Sequence, residues 1–311
     1  MRIISAAEVE VALDFDSLIE RLRQAFRRDI AVPLRHHHAI ETPDGDEASL
    51  LLMPAWQAGR HIGIKLVTVF PGNAARDLPA VMGAYLLLDG KTGSPLAMID
   101  GPVLTAKRTA AASALAASYL ARSDSERLLM VGTGALAPQL VLAHAAVRPI
   151  CNVLIWGRSP DKAARLAENL NRANFRVEAT DDLEAAARGA HVISCATLSP
   201  EPLIQGAWLQ PGQHLDLVGG YRPDMRETDD AAIRRARVFV DTRAGACTEA
   251  GDIVQPLESG VLAPEDIAAD LFELTRGERA GRRFYDQITL FKSVGSAIED
   301  LAAAQLTVER A

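Results

Sequence analysis

The chain has 311 residues, 49% hydrophobic and 23% charged, with a formal net charge of −7 at neutral pH. The length allows two globular domains, and the composition excludes a disordered or fibrous chain. The negative balance argues against a general nucleic-acid or membrane-surface partner.

No apolar run follows a basic start and none reaches membrane-spanning length, so the expected location is the cytoplasm. Cys151, Cys195 and Cys247 lie far apart, and no metal spacing occurs. Cys151 and Cys195 fall in or at the start of strand-like runs, where a reduced, buried thiol is expected.

In chain order, Phe15 to Arg28 has helical spacing, with Leu18, Leu22, Ala25 and Phe26 on one face. His36-His37-His38 reads as a solvated strand start, because neighbouring side chains of an extended segment alternate faces and cannot all reach one ion. Ser49–Met53, Ile62–Phe70, Ala80–Leu88 and Pro95–Ile99 read as strands separated by Gly, Pro, Asn and Asp. Asp89-Gly90-Lys91-Thr92-Gly93 has hairpin chemistry, so an antiparallel meander is expected. Leu104 to Arg122 is an Ala-rich helix whose small face predicts close packing between domains. Its first turn would hold Lys107 and Arg108, where the helix dipole disfavours cations. Either an anion joins that site or, as expected for Lys107, the side chain reaches solvent.

Leu128-Leu129-Met130-Val131 then leads into Gly132-Thr133-Gly134-Ala135-Leu136-Ala137, a helix with Leu136, Leu140, Ala143 and Val147 on one face, and a second strand Asn152–Trp156. Strand, glycine turn, helix, strand is the dinucleotide-binding unit. Gly132 makes the sharp turn, Gly134 admits a pyrophosphate to the backbone, and Ala137 lets helix and strand approach closely. The first-turn N–H groups then face the diphosphate. After the second strand, where a carboxylate would hold the ribose of NAD(H), stand Gly157-Arg158-Ser159 with Lys162 beyond. Arg158 offers a planar fork to a 2′-phosphate and Ser159 and Lys162 further donors, so NADP(H) is preferred, with NAD(H) an open alternative. Ser159 also reads as a helix N-cap with Pro160 at the first helical position.

Strands are expected at Phe175–Ala179, His191–Thr197, His214–Gly219 and Arg237–Asp241, a helix over Ile267–Gly277, a strand over Ile288–Lys292 and a helix from Ser296 to about Leu306. The fold class is α/β: a Rossmann-type doubly wound parallel sheet over 123–287, plus a discontinuous α+β domain with antiparallel strands over 1–122, to which 288–311 returns.

Gly63-Ile64-Lys65-Leu66-Val67-Thr68, Asp100-Gly101, Leu104-Thr105-Ala106-Lys107-Arg108-Thr109-Ala110-Ala111, the Gly132 turn and Phe291-Lys292-Ser293-Val294-Gly295 together resemble the ornithine cyclodeaminase/mu-crystallin family. The likeness runs along nearly the whole chain. It implies a homodimer built through the strand-rich domain, which also binds substrate, and an active site in the cleft beneath the nicotinamide. By position, Lys65 and Arg108 match catalytic residues that contact the substrate, and Arg35 the second carboxylate contact. Thr109, Ala135, Leu136, Thr197, Val218, Gly219 and Ser293 match cofactor positions, and Val294 the nicotinamide end of the cleft. Tyr221 stands where ornithine cyclodeaminase carries its catalytic aspartate, so a deaminating reaction loses its base. Asp224 could replace it, although Asp224 and Glu227 have the spacing of a helix-capping pair.

The resemblance therefore implies NADPH-dependent reduction of a cyclic ketimine carboxylate, five- or six-membered, to L-proline or L-pipecolate. Arg108 and Arg35 would hold the carboxylate, and Lys65 would orient it or protonate the imine nitrogen. The alternatives are ornithine cyclodeaminase or alanine dehydrogenase, a non-enzymatic NADPH-dependent binding protein, and a plain α/β domain without nucleotide.

Overall fold

The computed structural model describes residues 1–42, 47–171 and 175–311. Its first elements are β1 (Arg2–Ile4), α1 (Ala6–Ala12), α2 (Phe15–Phe26), β2 (His36–Glu41), β3 (Glu47–Gln57), β4 (His61–Val69), β5 (Val81–Asp89), β6 (Pro95–Asp100) and α3 (Gly101–Leu120). There follow β7 (Arg127–Val131), α4 (Leu136–Val147), β8 (Asn152–Trp156), α5 (Pro160–Leu170), β9 (Arg176–Ala179), α6 (Leu183–Gly189), β10 (Val192–Cys195) and β11 (His214–Leu217). The last third holds α7 (Asp230–Arg235), β12 (Arg237–Val240), α8 (Arg243–Glu249), α9 (Gly251–Glu258), β13 (Ile267–Asp270), α10 (Leu271–Arg276), β14 (Thr289–Lys292) and α11 (Ala297–Arg310).

Two compact units result, one of residues 1–109 with 296–311, the other of residues 110–295. The first contains a mixed six-stranded sheet, β1-β6-β5-β4-β3-β2, antiparallel except where β1 joins β6 in parallel. Asp89 tightens the β5–β6 turn, its carboxylate accepting from the Lys91 and Thr92 N–H groups at 2.9 and 2.7 Å. Residue alternation gives the sheet two faces. Met53, Ala55, Lys65, Tyr85, Leu87, Ala97 and Ile99 lie buried on one, which α11 covers over β3, β4 and β5. On the other, a row runs Pro54, Ile64, Leu86, Met98 and Ile3 across five paired strands, every member apolar and none buried.

The second unit is a fully parallel eight-stranded sheet, β13-β12-β14-β11-β10-β7-β8-β9. Strand order reverses beside β7, which has β8 on one side and β10 on the other, and such a switch point is where doubly wound sheets bind ligands. The central strands are buried on both faces, as parallel strands covered by helices require.

Several expectations change. The strand over Ile288–Lys292 does not return to the first domain: β14 is inserted between β11 and β12, and its buried Leu290 and Phe291 belong to that sheet. The return begins at Ser296, and the other division falls inside α3 rather than at residue 122. Ile267–Asp270 is an edge strand paired to β12, because Asp270 stops it by capping α10 in a box with Glu273. The helix α3 starts at Gly101, with Asp100 accepting from the Val103 N–H at 2.9 Å, so Lys107 and Arg108 lie in its second turn. Lys107 is buried, paired with Glu10 at 2.7 Å and set over the Phe15 ring, and does not reach solvent. Cys151 is exposed, since it precedes β8 rather than entering it. Sequence reading passed over α1, although Ser5 and Glu8 form a reciprocal capping box there.

Candidate active site

The first unit gathers its polar groups around the start of α11. Glu299 and Asp300 occupy the first turn of that helix and both are fully buried. Arg108, from α3, reaches Glu299 through Nη1 at 2.7 Å and Asp300 through Nε at 2.8 Å. Lys65, from β4, reaches the other Asp300 oxygen through Nζ at 2.8 Å. One carboxylate thus orients an ammonium and a guanidinium side by side. Burial drives the Lys65 pKa down to about 8, the Arg108 and Arg35 charges pushing the same way and Asp300 opposing them. Burial alone would raise the Asp300 pKa, but Arg108 and Lys65 hold it below the usual carboxylate value. Arg35 is part-buried just before β2 and acts on Lys65 through its field.

Tyr85 stands directly opposite Lys65 on the neighbouring strand and is fully buried. Its hydroxyl has no hydrogen-bond partner among the described residues, and burial followed by the Asp300 charge holds its pKa well above normal. Gly63 makes room for it, since a Cβ there would sit 1.9 Å from the hydroxyl oxygen. Thr109, buried on α3 beside Arg108, completes the residues of this unit singled out from sequence.

The second unit carries a cavity of about 420 Å³ at the carboxyl ends of β7, β8 and β10. Gly132, Thr133, Gly134, Arg158, Ser159, Lys162 and Thr197 line it, joined by Trp156, Gly157, Ala196, Leu198, Ser199 and Leu203. Gly132 has φ +120° and a Cβ there would meet the Ala196 carbonyl oxygen at 2.5 Å, so only glycine fits the turn. Nothing lies within 4 Å of a Cβ built on Gly134, which leaves that backbone open to a ligand. Ala135 stands at the N-cap of α4 with no side-chain cap bond, and Leu136 begins the helix, so its first N–H groups face an anion site unshielded. Arg158 and Lys162 are exposed and have no ion-pair partner among the described residues. Ser159 occupies the N-cap of α5 but makes no side-chain cap bond, and the residue lines the cavity. This set of donors could hold the diphosphate of a dinucleotide.

The remaining positions lie off the cavity. Val218 and Gly219 follow β11, and Ser293 and Val294 follow β14. Asp241 holds the latter turn, accepting from the Val294 and Gly295 N–H groups at 2.8 and 2.7 Å. The Ser293 hydroxyl is buried without a partner among the described residues. Tyr221 is half-exposed. Asp224 and Glu227 do not cap a helix, since Asp229 caps α7. Asp224 is exposed and paired with Arg222, whereas Glu227 is fully buried, where desolvation raises its pKa. A separate core cluster, in which Ser194 and His144 both bond Asp216 Oδ2 at 2.7 and 3.0 Å, offers no nucleophile: the hydroxyl contacts the acid rather than the imidazole, and all three residues are inaccessible. Sequence reading missed Glu299, Asp300 and Tyr85. The adjacent acids in an apolar helix were the only local signal.

The family model of the ornithine cyclodeaminase/mu-crystallin family matches residues 1–311. The Δ1-pyrroline-2-carboxylate reductase of Paracoccus denitrificans is 42% identical over 287 residues, covering 89% of this chain and 90% of that protein. Among solved structures, the Thermococcus litoralis Δ1-pyrroline-2-carboxylate reductase in complex with NADH and L-proline has a TM-score of 0.92 and 34% identity, covering 100% of this chain and 97% of the other. An archaeal alanine dehydrogenase dimer with bound NAD has a TM-score of 0.91 and 29% identity over 100% of this chain and 95% of its own. The chain belongs to the ornithine cyclodeaminase/mu-crystallin family.

Proposed function

We propose that this protein uses NADPH to reduce cyclic ketimine carboxylates, Δ1-pyrroline-2-carboxylate and its six-membered homologue, to L-proline and L-pipecolate. The observation that carries this reading is the buried Lys65–Asp300–Arg108–Glu299 cluster, in which two cations are aimed by two acids. A guanidinium fixed in this way binds a small carboxylate by directed, charge-assisted bonds. Holding the acid in one orientation contributes several kcal/mol to lowering the barrier. Lys65, with its pKa near 8, supplies a proton to the imine nitrogen or keeps the carboxylate in place. Arg35 adds a second guanidinium to the carboxylate grip, and Tyr85 closes the wall opposite Lys65. A bound reduced nicotinamide supplies the hydride. Gly132, Thr133, Gly134, Ala135 and Leu136 would hold its diphosphate, Arg158, Ser159 and Lys162 its 2′-phosphate, and Thr109, Thr197, Val218, Gly219 and Ser293 the rest. Tyr221 and Val294 border the substrate.

Asp224, the acid that could have replaced the deaminase base, is exposed and tied to Arg222. The reading is also served by a homodimer. The open face of the six-stranded sheet, with Ile3, Trp56, Leu66, Met82 and Met98 exposed, is the kind of contiguous apolar surface that a second copy covers.

The direct test measures NADPH oxidation with five- and six-membered cyclic imine acids, and with ornithine and NADP+. The imine acids should be turned over and ornithine should release no ammonia. Arg108→Ala should lower kcat/KM for the imine acids at least about 100-fold, as loss of two charge-assisted bonds implies. Ammonia release from ornithine, or near-normal turnover by the variant, would contradict the reading. Arg158→Ala should raise KM for NADPH about tenfold or more while leaving KM for NADH nearly unchanged; equal effects on both coenzymes would remove Arg158 from the phosphate site. Reduction should slow as pH rises through about 8, where Lys65 loses its proton. In Lys65→Arg that alkaline limb should vanish, and its persistence would assign it to another group. In sedimentation the protein should run at twice its chain mass of 33.4 kDa, and Leu66→Asp with Met98→Asp should release monomers; a monomeric parent would leave the apolar face to another partner.

A further inference from the structure

Glu227 is a carboxylate with no access to solvent whose bonds all go to the loops beside the dinucleotide cavity. Its Oε1 accepts from the Thr197 N–H at 2.7 Å and from the Thr197 hydroxyl at 2.8 Å. Its Oε2 accepts from the Gly219 N–H at 2.7 Å and the Gly220 N–H at 3.4 Å. Thr197 follows β10 and lines the cavity, and Gly219 and Gly220 follow β11. One side chain therefore clamps the carboxyl-terminal loops of two adjacent parallel strands.

The clamp is itself anchored. Asp252 Oδ1 accepts from the Glu227 and Thr228 N–H groups at 2.8 and 3.2 Å, and Lys292 Nζ pairs with Asp252 Oδ2 at 3.0 Å. The Glu227 carbonyl accepts from the Leu203 and Ile204 N–H groups, and Leu203 is another cavity residue. The two glycines follow from this packing. A Cβ at Gly219 would lie 2.0 Å from the Thr197 carbonyl oxygen and 2.5 Å from Glu227 Oε1, and one at Gly220 would lie 2.7 Å from Asp252 Oδ2. Four donors converging on acceptor-only oxygens favour the ionised acid, against the cost of its burial.

We propose that Glu227 is a positioning residue for the nicotinamide coenzyme, fixing Thr197, on the wall against which the dinucleotide lies, to the neighbouring Gly219–Gly220 loop. This inference rests on the dinucleotide reading of the cavity. Core packing alone does not demand such an arrangement, because an unpaired buried acid is costly and an apolar residue of similar volume would fill the space. In Glu227→Gln, the amide can face only one pair of donors as an acceptor and must oppose the other with its own N–H groups.

The test is fluorescence titration of NADH and NADPH into the parent and Glu227→Gln. The dissociation constants of both coenzymes should rise by about tenfold or more and by similar factors, since the effect is not at the 2′-phosphate. KM for the imine acid at saturating coenzyme should stay as in the parent, which separates coenzyme positioning from general destabilisation. Thr197→Val removes the hydroxyl partner, and its effect should be less than additive with that of Glu227→Gln. If Glu227→Gln does not fold, Glu227→Asp takes its place in the same cycle. Coenzyme affinity within twofold of the parent, or strictly additive effects, would overturn the inference. A parent that binds neither coenzyme would instead overturn the dinucleotide reading beneath it.

Discussion

Four charged side chains in the first unit must neutralise one another out of water, and the geometry of the cluster follows from that requirement. Lys65, Arg108, Glu299 and Asp300 are each at most 4% exposed. Removing any one leaves the cluster with an uncompensated buried charge, at a typical cost of about 3–5 kcal/mol. The acids therefore have no freedom to turn away, and the cations they hold point in fixed directions before any ligand arrives. Such a cluster is a poor way to gain stability and a good way to pre-organise recognition. Its members come from β4, α3 and α11, so the site is complete only when the last 16 residues have rejoined the first 109.

The second unit solves a different problem with neutral parts. The proposed diphosphate seat would need backbone rather than side chain, and Gly132, Gly134 and the uncapped start of α4 offer it. Charge enters only at the edge, through Arg158 and Lys162, where a phosphate can be recognised without burying a cation. The glycine turn and the Glu227 clamp tie the cavity wall to the sheet, while the two cations proposed to select the coenzyme are exposed.

What was legible in the sequence was local. The Gly132–Ala137 turn, the Asp89–Gly93 hairpin and the strands over β3 to β6 follow from spacing and turn chemistry within a few residues. Partners far apart in sequence were not legible. Lys107 finds Glu10 and Arg108 finds Glu299 at separations that no periodicity reports. The spacing of Asp224 and Glu227 matched a helix cap, but packing took Glu227 into the core and left Asp224 in solvent. Ile267–Asp270 carries apolar residues compatible with either period, and pairing to β12 decided for strand. Lys65 and Arg108 were singled out by resemblance, while the acids that aim them had no signal stronger than two carboxylates in an apolar helix.

The measurement that bears most directly on this account is calorimetric titration, at saturating NADPH, of two planar ring compounds of equal size. Pyrrole-2-carboxylate offers the charge that Arg108 and Lys65 are proposed to receive, and pyrrole-2-carboxamide does not. The carboxylate should bind about 100-fold more tightly or better, the margin expected of two charge-assisted bonds. Equal binding of acid and amide would show that the paired cations serve the fold alone and grip no substrate.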